Sequence, residues 1–366
     1  MRAAVLTEFH APLVLRDDVE IADPGPGEVL VRVAASGICG SDLKAIDGKS
    51  PVARELPAVL GHESSGIVEE IGAGVTMVAP GDRVVVAMTG HCGRCAGCRS
   101  GSPAACRSPI RQSQLGRMRD GTTRLRVDGM AAYPFIGIGS FAEYVCVNEE
   151  MLVPVPDALP LDAACLLACG VVTGVGAVLN TAEVQPGSTV LVVGAGGVGL
   201  NVVQGAVLTG ASRIIVADVN PAKLPGAMAL GATETLVADD ALAETVGKAT
   251  DGGVDYAFDV TGHAGVLAQA FAATREGGTA VMVGSPPNEP ISVLPQQLFF
   301  NRTLKGCAGG GGLPSRDLPR LMAMAVSGRL DLGGLITRQV PLEDINTAIT
   351  SVRSGREARA VVSLLA

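Results

Sequence analysis

Residues 189–199 hold a short apolar run, Thr189–Val193 (TVLVV), followed by Gly194-Ala195-Gly196-Gly197-Val198-Gly199. A continuous apolar run of strand length predicts a parallel strand buried on both faces. The glycines then each have a task. Gly194 permits a tight turn, Gly196 lets the backbone approach a pyrophosphate, and Gly199 allows the following helix to pack closely on the strand. Gly197 and Val198 open that helix, whose N-terminal N–H groups and dipole favour phosphate. Asp218 follows at the end of the next apolar run, roughly 20 residues on, where a carboxylate accepts from ribose hydroxyls. Its charge repels a 2′-phosphate, so NAD is expected rather than NADP.

Working outward, the region is built from alternating strands and helices. Strands are expected at Thr189–Val193, Arg213–Ala217, Tyr256–Val260 and Thr279–Val283, with helices over Val198–Thr209 and Pro221–Leu230. This is a doubly wound α/β pattern. The first half of the chain has a different texture. Val29–Val33, Gly66–Ile71 and Arg83–Ala87 are short β-rich runs separated by Gly and Pro turns, which predicts a barrel-like β domain. Leu161–Leu179 reads as one helix. The tail carries an amphipathic helix near Leu318–Ser327 and a last strand at Ala358–Leu364.

Composition bounds the partners. The 366 residues are 48% hydrophobic and 17% charged, with a mean hydropathy of +0.38, which excludes a disordered chain and suits two domains. A net charge of −8 argues against nucleic acid, which needs a basic face. No apolar run reaches the ~18–20 residues of a membrane span. The N-terminus reads as a strand and turn rather than a signal peptide, which places the nine cysteines in a reducing cytoplasm as thiols or metal ligands. Forty-eight glycines against seven phenylalanines, three tyrosines and no tryptophan favour close backbone approaches over aromatic platforms.

Four of those cysteines, Cys92, Cys95, Cys98 and Cys106, crowd one glycine-rich loop. Four soft ligands close tetrahedrally round zinc with no open position. An iron–sulfur cluster is the rival, but its usual run continues C-x3-C-P, and Cys106 comes later with no proline after it. Cys39, His62 and Cys169 lie far apart. Singly, each reads as a buried thiol or a satisfied histidine. Together, two thiolates and an imidazole would form an open zinc site. His91, beside Cys92, reads as a loop histidine.

Taken with Gly61-His62-Glu63, Cys39-Gly40-Ser41-Asp42 and the nucleotide fingerprint, these motifs resemble the zinc-dependent medium-chain alcohol dehydrogenases over essentially the whole chain. The resemblance implies a GroES-like β-rich catalytic domain over residues 1–170, completed by 309–366, and a doubly wound Rossmann domain over 171–308. The active site is then expected between the domains. It implies two zinc ions per subunit: a catalytic one on Cys39, His62 and Cys169, and a structural one on Cys92, Cys95, Cys98 and Cys106. Asp42 would orient His62, Glu63 would be a transient ligand behind the metal, and Ser41 would pass the alcohol proton outward. Thr173 would pack near the nicotinamide, with Val283 also on the cofactor. Lys223 would lie beside the adenosine ribose, and Arg359 near the pyrophosphate or the metal. Met88, Phe135, Ile136 and Gly309 are the expected pocket residues.

The expected reaction is NAD-linked oxidation of a bulky apolar primary or secondary alcohol, reversible with its aldehyde or ketone. Several positions depart from liver-type relatives. Lys44 stands where their proton relay ends at a histidine, and the proton is expected to leave through the ribose hydroxyl and water instead. Gly40 lacks a basic side chain for the pyrophosphate. The glycine run at 309–312 suggests a roomy pocket, or simply a turn. Residues 107–126 hold Arg107, Arg111, Arg117, Arg119, Arg124 and Arg126 against Asp120 alone. That loop reads either as an anion-attracting rim or as a solvated loop, and its length suggests a homodimer. A rim would suit a second reading, a thiol-dependent formaldehyde dehydrogenase. A third is an NAD-binding protein without catalysis.

Overall fold

The computed structural model describes residues 1–53, 55–88, 90–100, 105–106, 115–285 and 289–365. The chain forms two compact units: Met1–Cys169 together with Leu313–Ala366, and Gly170–Gly312. Among the described residues, no single helix is long and apolar enough to cross a membrane.

The first unit is β-rich. Its seven-stranded sheet runs in the order Leu152–Pro154, Arg83–Val86, Glu63–Ile71, Glu28–Gly37, Ala360–Ser363, Arg338–Pro341, with Tyr144–Asn148 also paired to Glu28–Gly37. The central strand shows why. Val29, Val31 and Val33 are buried, while Arg32 reaches out to Glu69 at 3.1 Å. From Val33 onward every residue is buried, because Ala35–Gly37 pair with Val361–Ser363 on one side and Glu63–Ser65 on the other. Half-buried alternation thus passes into an apolar run along one strand. Leu6, Ile38, Leu60, Phe141 and Met151 fill the core behind it. A second sheet of six short strands includes Ala3–Leu6 and Met130–Pro134.

The second unit is a six-stranded, wholly parallel sheet. Its order is Glu234–Val237, Arg213–Asp218, Thr189–Val193, Val254–Asp259, Thr274–Met282, Thr303–Gly306. Counted along the chain this is 3-2-1-4-5-6, with the switch point at Thr189–Val193. That strand is buried from Val190 to Val193, and the helix Gly197–Leu208 follows it directly.

The helix expected over Leu161–Leu179 is not one helix. Leu161–Ala164 and Gly170–Gly176 are α-helical, Cys165–Ala168 is a tighter turn, and Ala177–Ala182 is wider. The break is Cys169, whose backbone leaves the helical region at φ −138°, ψ −71°. Apolar content alone hides such a break, since every residue from Ala163 to Val178 is buried whichever way it winds.

Candidate active site

Cys39 immediately precedes the helix Gly40–Ile46, and His62 immediately precedes the strand Glu63–Ile71. One side chain joins the two places. Asp42 Oδ2 accepts from Cys39 N at 2.9 Å, and its Oδ1 accepts from Gly61 N at 3.0 Å. That same Oδ1 lies 3.2 Å from His62 Nδ1. A carboxylate there makes Nδ1 the donor and leaves the lone pair on Nε2. Gly61 has a positive φ of +89°, and a Cβ on it would sit 2.7 Å from Phe141. Only glycine turns the chain here so that His62 points inward.

Cys169, on the broken helix, completes the group. The donor atoms of Cys39, His62, Glu63 and Cys169 all lie within 4.8 Å of one another, and all four residues are buried. His62 Nε2 has no hydrogen-bond partner. A buried, aimed and unpartnered imidazole nitrogen beside two thiols fits a zinc ion. Sharing with Cys169 holds the Cys39 thiol well below its usual value, while the same contact and burial push Cys169 up. Burial alone would lower the His62 value, but Asp42 and Cys39 together raise it. Glu63 is fully buried, and desolvation pushes its carboxyl up to about 7 against the pull of Arg359. Arg359 Nη1 stands 3.1 Å from Glu63 Oε1. This is an ion contact without hydrogen-bond alignment, since neither Glu63 oxygen has a hydrogen-bond donor. Arg359 is itself 4% exposed and lies at Glu63, in the buried group around Cys39 and His62.

Ser41 Oγ lies 4.0 Å from Cys39 Sγ, and Lys44 follows one turn later on the same helix. Phe135 presents its ring edge-on to His62, 5.4 Å between centroids. The next residue, Ile136, is buried with φ +53°, a strained position for a β-branched side chain. Met88 packs against the same core, and its N–H donates to Ala168 O at 3.4 Å. Phe135 also lines a cavity of about 210 Å³.

The four-cysteine loop closes on itself. The sulfurs of Cys92, Cys95, Cys98 and Cys106 lie within 4.8 Å of one another, with Cys95–Cys98 at 3.5 Å and Cys92–Cys106 at 3.7 Å. A Cβ on Gly97 would meet Ala105 O at 2.6 Å, so glycine between two ligands lets the loop fold over. Four sulfurs gathered this closely fit a closed zinc site. His91 Nε2 lies 3.5 Å from Ser315 Oγ.

In the second unit the glycines behave differently from one another. Gly194 has φ +109°, and a Cβ on Gly199 would fall 1.9 Å from Gly194 O. A Cβ on Gly196 would meet nothing within 4 Å, so that side of the turn is an open cradle at the helix N-terminus. Asp218 is 6% exposed and fixed by two backbone donors, Ala195 N and Asn220 N, each at 2.8 Å. Lys223 Nζ stands 3.8 Å from it. Thr173 Oγ1 is buried without a partner, and Val283 N donates to Asp259 O at 2.8 Å. This cradle, the fixed acid and the orphan hydroxyl fit a dinucleotide. Val219, beside Asp218, is 77% exposed, an apolar surface the sequence reading missed. Its signal was its place straight after the acidic strand end.

Of the two readings open for the glycine run, a roomy pocket or a turn, the structure shows a tight turn, Gly309–Gly311. A Cβ on Gly310 would meet Val172 O at 2.0 Å, and one on Gly311 would meet Thr181 Oγ1 at 2.4 Å. The run is small so that this turn can lie on the helix Gly170–Gly176. In the arginine loop, the arginines among the described residues have partners. Arg117 pairs with Glu55, Arg119 with Glu150, Arg124 with Glu28 and Asp120, and Arg126 donates to Gly129 O. Arg107 and Arg111 lie outside the described residues.

Two family models match the chain: an alcohol dehydrogenase GroES-like domain over residues 25–157, and a zinc-binding dehydrogenase over residues 197–327. Among solved structures, the chain is similar to an alcohol dehydrogenase zinc-binding domain protein from Burkholderia ambifaria, at 36% identity and a TM-score of 0.93. It is also similar to benzyl alcohol dehydrogenase from Acinetobacter calcoaceticus, at 33% identity and a TM-score of 0.92. Both comparisons cover 100% of this chain and 99% of the other. An alcohol dehydrogenase from Thermus sp. ATN1 follows at 29% identity, a TM-score of 0.82 and 99% coverage of each chain.

Proposed function

Because the chain belongs to the zinc-dependent medium-chain alcohol dehydrogenase family, we propose that it oxidises an apolar primary or secondary alcohol with NAD, reversibly with the aldehyde or ketone. The observation that carries this reading is the unpartnered His62 Nε2, buried and aimed at the sulfurs of Cys39 and Cys169. When bound, zinc supplies Lewis acidity towards the alcohol oxygen, and NAD supplies the hydride acceptor.

The chain's own residues do the rest. Asp42 holds Cys39 and Gly61 by their backbones and keeps the His62 ring in one tautomer. Cys39 and Cys169, as thiolates, would balance a divalent cation, while Glu63 and Arg359 balance each other. Phe135 walls the imidazole off from water. Ser41 Oγ accepts the hydroxyl proton and passes it out to solvent, with no role required of Lys44. In the second unit, Gly194, Gly196, Gly197, Val198 and Gly199 cradle the pyrophosphate. Asp218 would accept from the ribose hydroxyls with Lys223 beside it, Val219 would offer an apolar face to the adenine, and Thr173 and Val283 would serve the nicotinamide half.

We further place a structural zinc on Cys92, Cys95, Cys98 and Cys106, giving two per chain, in a homodimer of a reducing cytoplasm. Support for the dimer is a cluster of exposed apolar side chains, Ile291, Leu294, Leu298, Phe299 and Phe300, beside the edge strand Thr303–Gly306. The paired arginines weigh against a thiol-conjugate substrate, which needs free cations for its carboxylates.

Initial rates with NAD and NADP across aliphatic, terpenoid, aromatic and polyol alcohols, and formaldehyde with thiols, test the reading. A Cys39→Ala control accompanies them. Activity with NAD on an apolar alcohol, lost in the control, is expected. Activity that survives the control, or formaldehyde turnover only with added thiol, would overturn it.

A further inference from the structure

Asp42 holds His62 by one ring atom. The 3.2 Å contact between His62 Nδ1 and Asp42 Oδ1 fixes the tautomer. A ring pinned at one atom can still swing about it, which would carry Nε2 away from the sulfurs of Cys39 and Cys169. A second ring blocks that swing. Phe135 stands perpendicular to the imidazole, at 85° with 5.4 Å between centroids, and both residues are buried. A hydrogen bond and an aromatic wall thus act on the same side chain.

The segment that carries Phe135 is fastened to the residues running into His62. Val59 pairs with Pro134, Ser140 N donates to Gly61 O at 3.0 Å, and Phe141 N donates to Leu60 O at 2.9 Å. Between those ends the chain turns tightly, and Phe135 O accepts from Ile138 N at 3.0 Å and from Gly139 N at 3.3 Å. Positive φ values mark the turn: Ile136 at +53°, Gly137 at +71° and Gly139 at +67°. Glycine is the ordinary occupant of such positions. Isoleucine is not, because its branched side chain crowds the backbone there. Ile136 is 9% exposed and belongs to the same core as Phe135, Ile138 and Phe141. Burial therefore keeps its backbone in a conformation the residue would not choose. A glycine would reach that conformation freely and leave it as freely.

We infer that Ile136 is a positioning residue: its buried side chain locks the left-handed turn that keeps Phe135 against His62, so that Nε2 stays aimed at the two sulfurs. The inference rests on the reading that Cys39, His62 and Cys169 hold zinc. The isoleucine costs the fold some backbone strain and gives the metal a preset imidazole.

The test uses the zinc-loaded protein with Ile136→Gly, Ile136→Val, Phe135→Leu and the double variant Ile136→Gly/Phe135→Leu. Two readouts are free of turnover. One is the rate of zinc loss to a chromogenic chelator, with Cys39→Ala marking the share held by the four-cysteine loop. The other is the proton–nitrogen spectrum of the imidazoles, where only four histidines contribute and His62 is assigned by its loss in His62→Gln. Ile136→Gly should speed zinc loss about tenfold and broaden or double the His62 signals. Ile136→Val keeps the branched side chain and should match wild type on both. Phe135→Leu should resemble Ile136→Gly. The double variant should be no worse than Phe135→Leu alone, since Ile136 acts through that ring. Wild-type zinc loss with a single sharp His62 set, in either Ile136→Gly or Phe135→Leu, overturns the inference, as do single effects that multiply in the double variant. Should Ile136→Gly not fold, Phe135→Leu decides alone. If Cys39→Ala holds as much zinc as wild type, the zinc reading fails, and the His62 signals still decide the role of Ile136.

Discussion

Asp42 is the residue on which the buried cluster turns, because one oxygen accepts from Cys39 N on its own loop and the other from Gly61 N, 19 positions away. Asp42→Asn keeps the size and one acceptor but replaces the other with a donor that opposes either Cys39 N or both Gly61 N and His62 Nδ1. Zinc affinity should fall about 10- to 100-fold, read by competition with a chromogenic chelator. Affinity equal to wild type would mean that the ring is held by packing alone. Arg359 acts from the other side. Arg359→Met leaves Glu63 buried without a counter-charge, which typically costs about 3–5 kcal/mol. A lowered thermal midpoint together with weaker zinc retention is expected. The nature of these residues was visible in the sequence, since cysteine, histidine and aspartate in such short motifs are chemically conspicuous. The Glu63–Arg359 contact was not, because nothing local ties a residue to one nearly 300 positions away.

Among the elements, the turn between Thr189–Val193 and Gly197–Leu208 separates two uses of glycine. Gly199→Ala drives a Cβ to 1.9 Å from a carbonyl oxygen and should cost about 3 kcal/mol of stability. Gly196→Ala meets nothing and has an ordinary φ of −83°, so the thermal midpoint should hold. Yet the methyl fills the approach to the pyrophosphate, and the Kd for NAD should rise about tenfold or more. A Gly196→Ala variant that binds NAD normally would place the phosphates elsewhere. The four-cysteine loop is a comparable self-contained element. Cys106→Ser should halve the zinc content and lower the thermal midpoint while leaving the Cys39 cluster loaded, as metal analysis would show. These elements were legible because each function is written in one continuous stretch. The broken helix at Cys169 was not, since a wholly buried apolar segment carries no periodicity to show where it bends.

At the scale of the whole molecule, the pairing of arginines 117–126 shows what a linear reading cannot reach. Their partners Glu28, Glu55 and Glu150 come from three other parts of the chain, so Arg117, Arg119 and Arg124 are each neutralised in space by residues the linear order keeps far away. The exposed apolar cluster near Phe299 is likewise visible only once the strand order puts it beside a sheet edge. Phe299→Asp should convert a dimer to monomers in sedimentation, and an unchanged species would move the contact to another face. The discontinuous first unit has one more consequence. A ribosome delivers the unit Gly170–Gly312 as an uninterrupted piece, free to fold while translation continues. The β-rich unit, begun earlier, must wait for Ala360–Ser363 to fill the gap beside Glu28–Gly37, and for Arg359 to reach Glu63. The parallel-sheet unit can therefore be complete first, while the buried group around Cys39 and Glu63 matures only when the tail docks beside Glu28–Gly37.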